Sequence, residues 1–216
     1  MTVEIRVVDD PAGDAAALLA SASGHLALSG GSTVGRAYEL AAALRPDWSG
    51  MHLWFGDDRA VPPDDERSNH RLVRAALLDR LSRLPEVHRV RGELGAEAAA
   101  ARYDDELDGV TLHLALNGIG SDGHTASLFP NSRALEERER RAVAAEPGLE
   151  PFVARVTMTP PMFAGTELLV YLVTGAGKAD AVRRAFAEEP SPDTPASLIR
   201  GRETLALLDP AAAGGL

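Results

Sequence analysis

The chain has 216 residues, no cysteine, and 22 basic against 32 acidic side chains, for a formal net charge of −10. Disulfides, thiolate metal centres and a cysteine nucleophile are excluded, and the acidity argues against non-specific nucleic-acid binding or docking on an anionic membrane. At about 150 residues per domain, the length predicts one domain over residues 1–216, able to bury roughly 70% of its surface.

Short apolar runs alternate with helical patterns along the chain. Val3 to Val8 reads as a strand, followed by a short Ala/Leu-rich helix ending near Ser23-Gly24. His25 to Ser29 is a strand running into Gly30-Gly31, with a helix from about Thr33 to Leu44. Met51 to Phe55 is a strand; a polar, proline-rich loop leads to a helix from about Asn69 to Leu81. Val87 to Val90 is a weak strand, Ala96 to Leu107 a helix, and Val110 to Leu116 a strong strand ending in a glycine-rich loop. The charge run from Arg133 to Arg141 reads as a solvated helical face or a loop. Phe152 to Met158, Leu168 to Thr174 and Leu205 to Leu208 look like strands, with a helix from about Lys178 to Glu188. This alternation predicts an α/β architecture with a mostly parallel sheet flanked by helices. Ligands of such sheets bind beyond the carboxyl ends of the strands, so the loops that follow strands are the places to look.

No run approaches 18 uninterrupted apolar residues, and MTVEIRVVDD lacks the basic start and apolar stretch of a signal peptide. A soluble, cytoplasmic protein is the expectation. The basic residues are 21 arginines and one lysine, Lys178. Its survival in so arginine-biased a chain suggests a place that wants a compact ammonium; chance would also explain it.

Five segments carry possible chemistry. Ser29-Gly30-Gly31-Ser32-Thr33 opens a helix, whose free N–H groups, with the Ser32 and Thr33 hydroxyls, suit a phosphate. An ordinary tight turn with a Ser or Thr cap would look the same. Gly56-Asp57-Asp58-Arg59 follows a strand and could orient a water or grip an anion, or be a solvated loop with a surface ion pair. In Asn117-Gly118-Ile119-Gly120-Ser121-Asp122-Gly123-His124, three glycines match G-x-G-x-x-G. A dinucleotide would then have the Asp122 carboxylate beside its pyrophosphate. The alternative is that the glycines expose His124, a side-chain type that exchanges protons near neutrality, with Asp122 fixing the ring. Arg155 in ARVTMTPP and Lys178 in TGAGK are two further cations. TGAGK fails the Walker spacing, and nothing signals the apolar pocket a Schiff-base lysine needs. His25, His52, His70, His88 and His113 lack paired ligand spacing and read as structural histidines, so no metal site is evident.

Taken in order, SGGST, WFGDDRAVPPDDERSNHR, NGIGSDGHTASLFP, ARVTMTPP and LVTGAGKADAVRRAF resemble the 6-phosphogluconolactonase family over about His25 to Asp209, with DGHTASLFP the most specific string. The resemblance implies a Rossmann-like layered fold similar to glucosamine-6-phosphate deaminase. It also implies metal-free, cofactor-free hydrolysis of a small phosphorylated sugar lactone, 6-phospho-D-glucono-1,5-lactone. Three departures stand out: Gly56-Asp57-Asp58-Arg59 where the family has GDER, Ser121 where it has proline, and a shorter first helix between Asp9 and Gly24. The last leaves less cover for one side of the sheet. The related deaminases read more like DGHIAFNEP and MDEY, so Thr125 to Pro130 and Arg59 follow the lactonase pattern.

The expected division of labour places the substrate phosphate on Gly30, Gly31, Ser32, Thr33, Arg155 and Lys178. His124 is the expected general base toward water, Arg59 serves the oxyanion or the phosphate, and Asp122 and Asp57 orient the base and the water. The remaining alternatives are a deaminase-like sugar-phosphate enzyme, a dinucleotide-binding oxidoreductase resting on GIGSDG, and a non-catalytic sugar-phosphate sensor.

Overall fold

The computed structural model describes residues 3–148 and 152–216. Its first half runs β1 (Glu4–Val7), α1 (Pro11–Ser21), β2 (His25–Leu28), α2 (Ser32–Leu44), β3 (His52–Phe55), β4 (Asp57–Arg59), α3 (Asn69–Ala76), β5 (Glu86–Val87) and α4 (Ala96–Glu106). The second runs β6 (Leu114–Asn117), β7 (Ala142–Ala145), β8 (Arg155–Met158), α5 (Pro160–Ala164), β9 (Leu168–Val173), α6 (Ala179–Phe186), α7 (Pro195–Leu198) and β10 (Glu203–Leu208). Seven strands form one sheet in the order β1-β10-β9-β6-β2-β3-β5, and every pair is parallel, as the alternation of elements predicts.

The central strands β6 and β9 are buried almost throughout, which is why they read as unbroken apolar runs instead of alternating ones. The edge strand β1 is the opposite case, exposed at all four positions, with Ile5 38% and Val7 50% exposed. Helix α1 is short, and it buries Pro11, its alanine face and Leu19. From β2 the chain moves outward through β3 to β5; β6, β9 and β10 move outward the other way. The order therefore reverses between β2 and β6, and the loops beyond their carboxyl ends face one crevice.

Several boundaries differ from the sequence reading. The Asn69 helix stops at Ala76; Leu77 leaves helical geometry, and a single tight turn spans Leu78–Arg80. Leu77 and Leu78 stay buried, so the apolar pattern continues after the helix has ended. The weak strand pairs only over Glu86–Val87, and the strong one only over Leu114–Asn117. The charge run turns its Ala134 and Leu135 inward and delivers the chain to β7, a strand that its Ala-Val-Ala-Ala sequence conceals because three of its four residues are alanine. Asp57 to Arg59, expected in a loop, form β4. Arg155, inside the stretch from Phe152 to Met158 that reads as a strand, opens β8. Both belong to a separate antiparallel sheet ordered β4-β8-β7, in which Arg59 lies opposite Arg155. Among the described residues no helix is long and apolar enough to cross a membrane.

Candidate active site

Two tyrosines fix the strand ends that launch the site loops. Tyr38 on α2 donates its hydroxyl to the Ser29 carbonyl at 2.8 Å and accepts from the Ser29 N–H at 3.0 Å. Tyr103 on α4 does the same to Phe55, at 3.0 and 2.7 Å. Both phenols are fully buried, and burial pushes both well above the ordinary tyrosine pKa, so they remain neutral donors.

Beyond Ser29 the chain turns through Gly30 and Gly31 into α2. Gly31 caps the helix at φ 124°, and no side chain caps its first N–H groups. A left-handed residue is needed here, and glycine supplies it without a side-chain clash. Gly30 is required for space: a methyl group there would overlap Asn69 Oδ1 and fall 2.7 Å from its Cγ. Thr33 Oγ1 lies 2.9 Å from Thr174 Oγ1, which ties this turn to the end of β9.

Asn69, at the first turn of α3, organises the acidic segment. Its amide donates to the Asp57 carbonyl at 2.8 Å and to Asp57 Oδ1 at 3.1 Å, and accepts from Arg59 Nη1 at 3.0 Å. Ser127 Oγ donates to the other Asp57 oxygen at 2.5 Å. Asp57 is therefore held by Ser127 and Asn69; no hydrogen bond joins it to His124 among the described residues. Asp58 points the other way and serves structure, accepting from the N–H groups of Arg59, Asn69 and His70 and from Ser68 Oγ. Burial pushes its carboxyl up to about 6 against the pull of those donors.

The glycine loop after β6 folds around His124. Gly120 N–H donates to the His124 carbonyl, and Gly123 N–H returns to the Gly120 carbonyl, both at 2.9 Å. A side chain at Gly120 would overlap the His124 ring and lie 2.5 Å from Asp122 Oδ1. No helix opens at this loop. The space the glycines make is filled by the protein's own His–Asp pair, and the helix N-terminus that a dinucleotide pyrophosphate requires is missing. Nδ1 of His124 is 2.6 Å from Asp122 Oδ1. Burial alone would raise the Asp122 carboxyl, but the hydrogen bond and charge of His124 outweigh it and hold Asp122 below the usual range. An ionised carboxylate accepts from Nδ1–H and leaves Nε2 as the basic nitrogen. Ala126, two residues on, sits in left-handed backbone at φ 50°, an uncommon and strained conformation for a residue with a Cβ.

A cleft of about 280 Å³ collects these groups. Gly30, Gly31, Ser32, Thr33, Asp57, Arg59, His124, Arg155 and Lys178 all line it, and Asp122 stands behind His124. Asn69 and Ser29 line it as well, although neither stood out in the sequence beyond its place inside a quoted string. Arg155 is buried, with its guanidinium 5.3 Å from the Phe129 ring centroid, and burial lowers its pKa from the ordinary arginine value. Lys178 stands at the entry of α6 with no ion pair among the described residues. Ser29 Oγ and Arg59 Nε are buried without a hydrogen-bond partner among the described residues. Buried groups left unpaired are costly, and here they surround a cavity large enough for a small polar ligand.

A family model described as glucosamine-6-phosphate isomerases/6-phosphogluconolactonase matches residues 6–207. The chain belongs to this family. A 6-phosphogluconolactonase of Mycobacterium leprae is 37% identical over 205 residues, 87% of this chain and 83% of the relative. The crystal structure of 6-phosphogluconolactonase from Thermotoga maritima superposes with a TM-score of 0.82 at 26% identity, covering 96% of this chain and all of that one. A monomeric glucosamine-6-phosphate deaminase superposes with a TM-score of 0.85 at 21% identity over the whole of both chains, which speaks to the fold. The layered α/β architecture that the sequence motifs imply is thus the one observed.

Proposed function

We propose that the chain is a 6-phosphogluconolactonase, hydrolysing 6-phospho-D-glucono-1,5-lactone to 6-phospho-D-gluconate by general-base activation of water in the cleft described above. The observation that carries this reading is the composition of that cleft. A carboxylate-oriented histidine lies in the same cavity as a helix N-terminus with no side-chain cap and a lysine with no ion pair among the described residues. Water attacks lactone C1 while His124 Nε2 takes its proton. The C1–ring oxygen bond then breaks, and the same proton passes to the departing oxygen, leaving a carboxylic acid that ionises. The N–H groups at Gly31 to Thr33, with Lys178 and Arg155, hold the phosphate and so fix C1 relative to His124. Arg59 is placed by Asn69 on the wall of the cleft, where its guanidinium serves the developing charge on either the carbonyl oxygen or the phosphate. Asp57, locked by Ser127 and Asn69, orders that wall of the site instead of touching the base.

The same reading takes residues 1–216 as one domain acting in the cytoplasm on a small sugar phosphate, without nucleic-acid or membrane partners. The deciding experiment follows the loss of freshly generated lactone with and without protein, corrected for spontaneous hydrolysis, and offers glucosamine 6-phosphate in parallel with ammonia as the readout. Rapid lactone loss without ammonia is expected. Ammonia release would move the chain to the deaminases, and a folded protein with neither activity would favour a sugar-phosphate sensor.

A further inference from the structure

The opposite end of the sheet carries a second cluster of ionisable side chains, independent of the reading just given. Parallel pairing sets His25 beside His52, and His52 beside Glu86, at the amino ends of β2, β3 and β5. The substrate cleft lies beyond the carboxyl ends. His88, just after β5, stays in register through its N–H bond to the Leu53 carbonyl at 2.8 Å. His52 Nδ1 lies 3.1 Å from His88 Nε2. Glu86 directs one oxygen at each ring, 3.4 Å from His52 Nδ1 and 3.5 Å from His88 Nε2.

We propose that His52, Glu86 and His88 form a binding site for a divalent transition-metal ion of the zinc class, clamping the edge strand β5 to β3. Zinc–ligand bonds of about 2.0–2.1 Å in tetrahedral geometry require ligand atoms about 3.3 Å apart. The two ring nitrogens, 3.1 Å apart, stand close to that value, Glu86 offers a different oxygen to each ring at 3.4 and 3.5 Å, and with one carboxylate oxygen the three ligand atoms lie within 4.8 Å of one another. The rings are preorganised: His88 stacks on Trp54 with centroids 3.9 Å apart and planes 5° apart, and His52 stacks on His25 at 4.4 Å and 13°. Trp54 in turn donates its indole N–H to His25 Nδ1 at 3.0 Å, which fixes that ring behind His52. Arg89, the nearest cation in sequence, is occupied by both oxygens of Glu93 and is not free to fill the place of the ion. Two residues of β5 are all that pair with β3, so a bridging ion would add a cross-strand link at this short edge. Histidines on separate strands leave no ligand spacing in the sequence, which explains why none was legible there.

The test uses the full chain, stripped with a chelator and titrated with Zn²⁺ against a chromophoric competitor, with Co²⁺ as a spectroscopic substitute. Expected are one ion per chain, visible Co²⁺ absorption of tetrahedral type, and a Tm rise of about 5–10 °C when free Zn²⁺ is roughly 100 times Kd. Glu86→Gln removes an exposed charged ligand while keeping its shape. It should weaken binding at least tenfold, leave the metal-free Tm within about 2 °C of the parent, and leave lactone turnover unchanged; His52→Asn should weaken binding similarly. Absence of bound ion would overturn the proposal. So would binding that survives Glu86→Gln and disappears with His124→Ala, because the ion would then sit at the substrate cleft.

Discussion

Gly30→Ala is a substitution whose cost can be worked out from its surroundings. Gly30 has ordinary backbone geometry, so alanine meets no φ penalty, and the whole effect comes from Asn69. The added methyl would stand 2.7 Å from Asn69 Cγ, where about 3.5–4.0 Å is comfortable, so the amide must retreat by about 1 Å. Asn69 is buried, and it cannot retreat without stretching its bonds to Arg59 Nη1, the Asp57 carbonyl and Asp57 Oδ1. Two of those bonds have a charged partner, each worth about 1.5–3 kcal/mol, and the third is worth about 1 kcal/mol. Partial relaxation leaves an expected loss of about 2–4 kcal/mol, or about 5–15 °C in Tm for a chain of this size. Lactone turnover should fall with it, because Arg59 and Asp57 lose their placement. Calorimetry of Gly30→Ala alone and in an Asn69→Ala background separates the terms, since the clash vanishes once the amide is gone. A Tm within about 2 °C of the parent, or an equal cost in both backgrounds, would refute the reasoning.

Other expectations address the chemistry and the charge run. His124→Ala should lower kcat at least 100-fold with little change in Tm, measured by lactone loss; a fall under tenfold would remove it as the base. Asp122→Asn should keep the fold and still reduce kcat, since an amide no longer enforces the Nδ1–H tautomer, and unaltered kcat would contradict that role. Lys178→Ala should raise KM for the phosphorylated lactone by about tenfold or more with kcat nearly intact, and an unchanged KM would detach it from the phosphate. Glu137 accepts the backbone N–H groups of Glu139, Arg140 and Arg138 as well as Arg140 Nε, contacts that hold its carboxyl down to about 2. With the folded pKa below the unfolded one, its stabilisation is complete above about pH 4.5 and fades as pH falls toward 2. The Tm deficit of Glu137→Gln should therefore shrink by about half or more between pH 7 and pH 3, and a constant deficit would show that ionisation is not its source.

Much of the site could be read in one dimension because its parts sit where strands end. Apolar runs such as Leu114 to Leu116 announce buried parallel strands, and the residues immediately after them are those that the sheet presents to a ligand. Gly30 to Thr33 and Gly118 to His124 were legible on that ground, and both line the same cleft. Asn69 was not, because an asparagine at the start of a helix looks like any capping residue until Gly30 and Arg59 are seen against it. The small sheet escaped for a related reason: Asp57-Asp58-Arg59 has no strand-forming side chain and Ala142 to Ala145 only Val143, and backbone pairing with β8 makes them strands.

The sequence by itself determined the class of architecture, the loops that carry chemistry and the His124–Asp122 pairing, because each depends on residues close together along the chain. Only the tertiary structure decided what stands across the cleft from what. It gave Asp57 to Ser127 and Asn69, set Arg155 opposite Arg59, and filled the glycine loop with the protein's own histidine instead of a dinucleotide. It also brought His52, Glu86 and His88 together at the far end of the sheet. Most of those contacts join residues far apart in the chain, and their geometry follows from strand order and register, which no local pattern of side chains encodes.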